Sequence, residues 1–359
     1  MKKILVVSSR MFKSPGYGAR IYAKETTRGL AQLGFSVTAY TAEPPKVNVP
    51  FSVVPHAQFR FDMRGMNAAE SQLRPLIESH DLVIIHRAEV STMWVCLKYA
   101  KDLVSICGSR LALSGLYVGR TGWMDLFDAS RFVIVSGPGI GDEMVQAGML
   151  TQNKLRVLPG GFDLPNVTQD TSTNWMSDVP TLVTVSRINS NKGQHRILKA
   201  WPKVLARVPN AKYVMVGPDE SRSETQKLVT DLGIQSSVVF TGALSGNLMH
   251  NYYKNATAFA LLTSVDGGGP PIAVTEAMAF GLPVIVSDHR QGCSKSVQGS
   301  CLVVNGDDTN QVSEAIVSVL TNAGLRSDLR IKSLEFAKSK TWSALNKKLK
   351  GWIDEKTAA

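Results

Sequence analysis

The feature that most constrains this chain is a regular alternation of short apolar runs with longer amphipathic segments. In the N-terminal half the apolar runs predict strands at Lys3–Val7, Ser36–Thr41, Asp81–His86 and Phe132–Ser136, with helices at Arg20–Leu33 and from about Ile140 to Ala147. Strands that are apolar on both faces and alternate with helices are typical of a mostly parallel sheet covered on both sides. The sequence therefore predicts the α/β class.

The alternation stops near the middle of the chain and then starts again. The segment Leu164–Val179 is rich in Pro, Asn, Ser and Thr and has little periodicity, which indicates a linker. A second series of strands follows at Thr181–Ser186, Lys212–Gly217, Ser237–Thr241, Thr257–Thr263 and Pro283–Ser287. Two successive doubly wound units predict a cleft between them, with ligands at the carboxyl ends of the strands.

Composition excludes several other classes of protein. The chain has 359 residues, of which 44% are hydrophobic and 19% charged, as in globular proteins. No run approaches the ~18 apolar residues of a membrane span, and the first apolar run is too short for a signal peptide. The four cysteines show no Cys-x-x-Cys spacing, so we expect neither a disulfide framework nor a zinc site. We expect the protein to be cytoplasmic.

Charge favours a polyanionic partner. The formal net charge is +11, and residues 1–158 contribute 19 basic against 12 acidic side chains. A basic surface attracts nucleic acid, anionic lipid headgroups or phosphorylated glycans, although the same charge is compatible with a merely solvated surface. The densest basic cluster, Lys347-Lys348-Leu349-Lys350, fits one face of an amphipathic helix that is either solvated or rests on a membrane.

Two cations in the second half form the strongest local signal. Arg187 and Lys192 follow a predicted strand and precede a helix that starts at about Gln194. A guanidinium, an ammonium and a helix N-terminus together suit a diphosphate. The spacing differs from that of a Walker motif, and solvated loop cations are the alternative interpretation.

Two glycine-rich turns are further candidates for ligand contact. The glycines at 267–269 follow a strand and let backbone N–H groups approach a ligand, and Glu276 lies near the start of the next helix, where it could accept hydrogen bonds from sugar hydroxyls. The segment Pro15-Gly16-Tyr17-Gly18 follows the first strand, but position 21 is Ile, so the dinucleotide fingerprint is incomplete.

Taken in order, these motifs resemble glycosyltransferase family 4, a group of retaining, nucleotide-sugar-dependent enzymes with the GT-B fold. The resemblance is strongest from Leu155 to Val304. It implies two Rossmann-like doubly wound domains that face a central cleft: an acceptor domain at 1–163, a donor domain at 164–336, and a C-terminal segment at 337–359 that crosses back. The donor-binding residues it implies are Gly16, Gly18, Arg187, Lys192, Gly217, Thr241, Gly242, Asp266, Gly267, Gly268, Gly269 and Glu276.

The chain departs from the family pattern at two positions. The first glutamate of the family's Glu-x7-Glu motif would fall at Gly268, and Asp266 is the nearest carboxylate. The family also tends to carry a histidine after a central strand of the first domain, and here His86, at the end of the preceding strand, is the nearest one. The catalytic residues implied are Arg187, Lys192, His86 and Glu276.

The resemblance implies a retaining, metal-independent hexosyltransferase that needs no cofactor beyond its co-substrate, a UDP- or GDP-sugar. Its acceptor would be an anionic cell-envelope glycan or glycolipid, as in lipopolysaccharide or polysaccharide biosynthesis, reached from the inner face of the membrane. Two alternatives stay open: the same fold acting on nucleic acid or a small phosphorylated metabolite, and a non-catalytic nucleotide-sugar binding protein.

Overall fold

The computed structural model divides into two units, which are described separately. The structure describes residues 1–8, 11–12, 18–56, 63–86, 89–107, 119–163, 176–244, 246–264, 269–289, 294–297 and 299–355. The first unit comprises residues 1–161 together with 342–359, and the second comprises residues 162–341.

The first unit is built on a seven-stranded parallel sheet in the order β3-β2-β1-β4-β5-β6-β7. Its strands are β1 (Lys3–Val7), β2 (Ser36–Thr41), β3 (Ser52–Pro55), β4 (Leu82–His86), β5 (Leu103–Cys107), β6 (Phe132–Val135) and β7 (Leu155–Val157). The helices are α1 (Gly18–Gln32), α2 (Met63–Glu78), α3 (Val90–Tyr99), α4 (Gly119–Ala129), α5 (Pro138–Gln146) and, from the end of the chain, α13 (Trp342–Asp354).

The second unit repeats this plan with a six-stranded parallel sheet in the order β10-β9-β8-β11-β12-β13. Its strands are β8 (Thr181–Val185), β9 (Lys212–Val216), β10 (Val238–Gly242), β11 (Ala258–Leu261), β12 (Val284–Ser287) and β13 (Leu302–Val304). Its helices are α6 (Gln194–Arg207), α7 (Arg222–Asp231), α8 (Gly246–Asn255), α9 (Ile272–Ala279), α10 (Ser294–Val297), α11 (Thr309–Thr321) and α12 (Ala323–Lys338).

Both sheets are buried on their two faces, as the apolar runs predict. All five residues of β4, β5 and β8 are buried. In each sheet the strand order reverses beside the first strand of the unit, at β1/β4 and at β8/β11. Such a reversal opens a crevice at the carboxyl ends of the two strands, because the flanking loops turn to opposite faces. The predicted α/β class and its two doubly wound units are confirmed.

Helix α13 belongs to the core of the first unit. Asn346 donates from Nδ2 to the carbonyl oxygen of Glu25 on α1, at 3.1 Å. A Cβ on Gly29 would lie 1.9 Å from that same Nδ2, so the two helices touch closely only because residue 29 has no side chain. The buried residues of α13 are Trp342, Leu345, Asn346, Leu349 and Ile353.

The far end of α13 is held by cations from the sheet. Arg131 Nη2 and Lys2 Nζ each donate to the carbonyl oxygen of Ile353 at 3.4 Å. Cations at a helix C-terminus stabilise its exposed carbonyl groups and its dipole. Two members of the predicted basic cluster have partners on the same helix: Lys348 lies over the Trp352 ring, and Lys350 pairs with Asp354.

No helix in the described parts of the chain is both long enough and apolar enough to span a bilayer.

Candidate functional site

The described candidate residues of the second unit gather at the carboxyl ends of four neighbouring strands. These strands, β10, β9, β8 and β11, are adjacent in the sheet. Parallel strands place their carboxyl ends along one edge, so residues distant in sequence meet there. The residues brought to this edge are Thr241 and Gly242 at β10, Gly217 after β9, Arg187 and Lys192 after β8, and Gly269 and Glu276 after β11.

Backbone hydrogen bonds tie the loops at this edge to one another. Gly217 N donates to Gly242 O at 2.9 Å, and Ile188 N donates to Pro218 O at 2.9 Å. On the other side, Ser264 N donates to Asn191 O at 3.1 Å. Because each bond joins the ends of adjacent strands, the edge forms a continuous backbone frame.

Two glycines make this frame possible. Gly193 has φ +78°, and a Cβ there would lie 2.0 Å from the carbonyl oxygen of Leu262. Gly217 has φ +147°, and its Cβ would lie 1.9 Å from the carbonyl oxygen of Ser186. Both the left-handed backbone and the close approach exclude other residues.

Arg187 is held in an ion pair within the second unit. Its Nη1 lies 2.9 Å and 3.0 Å from the two carboxylate oxygens of Glu220, which also accepts a hydrogen bond from Asn189 Nδ2 at 2.8 Å. The hydrogen bonds from Asn189 and Arg187 lower the pKa of Glu220, so its carboxylate stays charged. Neither Glu220 nor Asn189 was among the predicted site residues.

Lys192 and the start of α6 come a few residues after Arg187 in the chain. Lys192 is half-buried in a single 3-10 turn, Ser190–Lys192, and Gly193 links this turn to α6. Gln194, the first residue of α6, is buried and donates from Nε2 to Ser186 Oγ at 2.8 Å and to Arg187 O at 2.9 Å. A helix N-terminus therefore lies beside both predicted cations, which is the arrangement that binds phosphate.

Glu276 lies on α9 with its side chain partly buried. Its Oε2 accepts a hydrogen bond from the phenol of Tyr253 at 3.0 Å. Burial raises the pKa of Glu276 to about 7, and the hydrogen bond from Tyr253 opposes that rise. Tyr253 itself was not predicted from the sequence, because it lies on α8, 23 positions before Glu276.

The first unit carries two described candidates, His86 and Gly18. His86 ends β4 and is only 3% exposed, with its ring centroid 5.4 Å from that of Tyr22. Tyr22 in turn donates to the carbonyl oxygen of Leu158 at 2.9 Å. A histidine so enclosed presents little surface to a substrate, and its catalytic role stays a prediction. Gly18 is the first residue of α1.

Four candidates lie outside the described residues: Gly16, Asp266, Gly267 and Gly268. Among the residues that are described, no group of three or more His, Cys, Asp or Glu side chains is arranged to hold a metal ion.

Comparison with protein families assigns most of the second unit, which carries this edge, to a known family. Residues 168–335 match the family model described as "Glycosyl transferases group 1". Residues 168–335 are a glycosyltransferase group 1 domain. The edge described above lies within it, including Arg187, Lys192, Gly217 and Glu276.

Relatives whose names state an activity resemble part of this chain. A GDP-mannose-dependent monoacylated alpha-(1-6)-phosphatidylinositol monomannoside mannosyltransferase of Corynebacterium glutamicum is 30% identical over 177 residues, covering 45% of this chain and 46% of that protein. A GDP-mannose-dependent alpha-(1-6)-phosphatidylinositol monomannoside mannosyltransferase of Mycobacterium tuberculosis is 25% identical over 273 residues, covering 69% of each.

Solved structures extend the likeness to the whole fold. The Anabaena protein HepE, crystallised with UDP-glucose, superposes with a TM-score of 0.80 over 98% of this chain and 99% of that one, at 15% identity. The group 1 domain and the first unit together thus have the GT-B architecture, as predicted.

Proposed function

We propose that this protein is a glycosyltransferase that moves a hexose-type sugar from a nucleoside-diphosphate donor to a cell-envelope glycan or lipid-linked acceptor. The observation that carries the proposal is the edge at β10-β9-β8-β11, where Arg187, Lys192 and the N-terminus of α6 follow β8 and Glu276 follows the neighbouring strand β11. The group 1 domain assignment supports it.

In this proposal Arg187, Lys192 and the α6 N-terminus bind the diphosphate. As the glycosidic bond breaks, negative charge grows on the leaving diphosphate, and fixed positive groups stabilise that charge without reorganising. Glu220 holds the Arg187 guanidinium in place before the donor arrives. These groups need no metal ion for this work, which is the basis for proposing a metal-independent reaction.

Glu276 is proposed to accept hydrogen bonds from donor hydroxyls. A carboxylate does this best in its charged form, and the pKa of Glu276 is about 7. Donor affinity should therefore rise as pH increases through neutrality.

Retention of configuration is proposed from the family resemblance. In a same-face attack, a leaving-group oxygen assists removal of the acceptor proton, and no protein nucleophile is required. Product anomeric configuration, read by NMR of the glycoside formed, tests this part of the proposal.

The relatives narrow the donors and acceptors worth testing. Two are named as GDP-mannose-dependent enzymes acting on phosphatidylinositol mannosides, and HepE was crystallised with UDP-glucose. GDP-mannose and UDP-glucose are therefore the first donors to test, and an anionic glycolipid is the first acceptor.

The deciding experiment compares two arginines of the second unit. Arg187 pairs with Glu220 at the proposed diphosphate site, whereas Arg207 pairs with Glu314 on the surface at 2.6 Å. We expect Arg187→Ala and Lys192→Ala to lower kcat/KM by ~10²-fold or more, since such contacts are worth ~2–4 kcal/mol in the transition state. Arg207→Ala should stay within about threefold of wild type.

Donor binding is measured on the same proteins by calorimetry. Binding without turnover of any tested donor would favour the non-catalytic nucleotide-sugar binding protein. Equal turnover by Arg187→Ala and wild type would contradict the diphosphate role.

A further inference from the structure

We propose that Tyr253 is the positioning residue of Glu276: its phenol donates a hydrogen bond that fixes one carboxylate oxygen and leaves the second oxygen for a donor hydroxyl. This inference rests on the proposed function, because it assigns Glu276 to the donor. It is nevertheless a statement about two side chains of the donor-free protein, and it can be tested as such.

The ring of Tyr253 is fixed by its surroundings. Its side chain is fully buried, and it stacks on Phe280 with ring centroids 5.5 Å apart and packs against Phe259 at 6.0 Å. A buried aromatic ring held on two sides has one orientation, so the direction of its hydroxyl is set by packing. That direction is toward Glu276 on the neighbouring helix.

The two carboxylate oxygens of Glu276 have different surroundings. Oε2 accepts from the Tyr253 phenol at 3.0 Å, and Oε1 makes no hydrogen bond with any residue that the structure describes. The phenol lies 3.4 Å from a second acceptor, the carbonyl oxygen of Ala273. A phenol donates more strongly to a carboxylate than to a neutral carbonyl, so this contact favours the charged form of Glu276.

Within the part of the chain that the structure describes, the other groups around Glu276 supply no compensating charge. On α8, Tyr253 is the titratable group that contacts it, while burial lowers the pKa of His250, whose ring packs on Phe280 at 5.6 Å. Helix α12 also packs on α9, but among the described residues no cation acts on the pKa of Glu276, which burial raises and Tyr253 lowers. Among the described groups, the Tyr253 phenol is thus the one that opposes the rise in the pKa of Glu276 caused by burial.

The burial of Tyr253 keeps its proton in place. Burial and the neighbouring Glu276 carboxylate raise the pKa of the Tyr253 phenol well above 10. The phenol therefore remains a donor across the whole pH range in which Glu276 titrates.

The test compares two tyrosine-to-phenylalanine variants, each of which removes a buried hydroxyl, and the two hydroxyls have different partners. Tyr253→Phe removes the phenol from Glu276. Tyr213→Phe is the control, because Tyr213 is also fully buried in the second unit and its hydroxyl lies 3.0 Å from Thr184 Oγ1, away from Glu276.

The first readout is the ionisation of Glu276 without any donor. Carboxyl infrared difference spectra, assigned with Glu276→Gln, follow it from pH 5 to pH 9. We expect Tyr253→Phe to move the midpoint upward by about one pH unit, since a hydrogen bond to a charged group has that effect, and Tyr213→Phe to leave it unchanged. An unchanged midpoint in Tyr253→Phe would overturn the proposal.

The second readout is donor binding over the same pH range. In Tyr253→Phe, affinity for the nucleotide-sugar should be about fivefold weaker at pH 7, since the charged fraction of Glu276 falls from about one half to about one tenth, and should recover to within about threefold at pH 9. A loss that is equal at both pH values would mean that Tyr253 has only a packing role, and would overturn the proposal. If no nucleotide-sugar binds the wild type, the proposed function fails, while the infrared titration still decides the role of Tyr253.

A third protein covers the case in which Tyr253→Phe does not fold. Replacing Tyr253 by a fluorotyrosine with a more acidic phenol keeps the ring and strengthens the donor. The Glu276 midpoint should then move downward, and an unchanged or raised midpoint would contradict the proposal.

Discussion

At the scale of single residues, the edge at β10-β9-β8-β11 depends on two positions that have no side chain. Gly193 and Gly217 both lie in left-handed or otherwise restricted backbone, and each touches a carbonyl oxygen of the neighbouring strand's loop. Gly233 has a similar φ of +67°, but open space surrounds the position of its missing Cβ. Comparing Gly193 with Gly233 therefore separates the cost of a left-handed backbone from the cost of a steric clash.

We expect Gly193→Ala to destabilise the protein by about 3 kcal/mol or more, and Gly233→Ala by only about 1 kcal/mol. Both substitutions incur the cost of a left-handed alanine, which is ~1–2 kcal/mol, whereas only the first adds a clash with Leu262 O. Urea unfolding at equilibrium measures both. Equal losses would show that the loop relaxes freely and that close approach is not required.

The burial of Glu276 predicts an unusual pH dependence of stability. Folding raises the pKa of this carboxyl from an ordinary 4.5 to about 7, so between these values the folded state holds a proton that the unfolded chain releases. The contribution of Glu276 to the free energy of unfolding therefore falls as pH rises through that window. Above pH 7 the charged and partly buried carboxylate destabilises the folded state, and a neutral amide would not.

Glu276→Gln should accordingly raise Tm relative to wild type at pH 8, with a smaller or absent difference at pH 5. Scanning calorimetry at the two pH values checks it. A variant that is less stable than wild type at pH 8 would indicate that the charged form is the better accommodated one.

Some residues of the candidate site could be predicted from the sequence and others could not, for a physical reason. Arg187, Lys192 and Glu276 were predicted because each belongs to a local motif in the chain. Glu220, Asn189 and Tyr253 were missed because their partners lie on other elements, and strand order, which a single sequence does not display, brings them together.

At the scale of elements, α13 shows how much of the first unit depends on one late helix. Trp342 is 5% exposed, meets Tyr22 edge-on at 5.6 Å, and lies against Gly161, where a Cβ would be 2.8 Å from the indole. Trp94 on α3 is 54% exposed and provides a matched comparison within the same unit.

Trp342→Ala should cost ~3–5 kcal/mol, as for large aromatic residues in cores, whereas Trp94→Ala should change stability by no more than ~0.5 kcal/mol. Guanidinium unfolding followed by far-UV circular dichroism measures both. Similar small effects would mean that α13 docks only loosely on α1.

Strand prediction was most accurate for the fully buried strands, although the partly exposed β10 was also predicted, one residue early. The predicted strands Lys3–Val7 and Ser36–Thr41 match β1 and β2, and the buried β4, β8 and β12 differ from prediction by one residue at an end. Strands β3, β7 and β13 were missed because each spans only three or four residues, which is too short for its pattern to stand out in the sequence.

At the scale of the whole molecule, charge is divided unequally between the units. The first unit, residues 1–161 and 342–359, has 23 Lys and Arg against 14 Asp and Glu, a net charge of +9, and the second has 17 against 15, a net charge of +2. This asymmetry supports the proposal that an anionic acceptor or membrane surface is met by the first unit.

We expect the protein to co-sediment with vesicles that contain anionic lipid in low salt and to be released near 1 M salt, where the screening length falls from ~10 Å to ~3 Å. Each basic residue near such a surface contributes ~1 kcal/mol. Vesicles of zwitterionic lipid alone are the control, and binding that is indifferent to salt or to lipid charge would contradict electrostatic recruitment.

The discontinuous first unit has a consequence for biosynthesis. Its sheet is complete in sequence by residue 157, yet the helix that covers α1 is translated only after the entire second unit. During synthesis on the ribosome, the apolar surface around Tyr22 therefore stays uncovered until the last turns of α13 emerge from the exit tunnel.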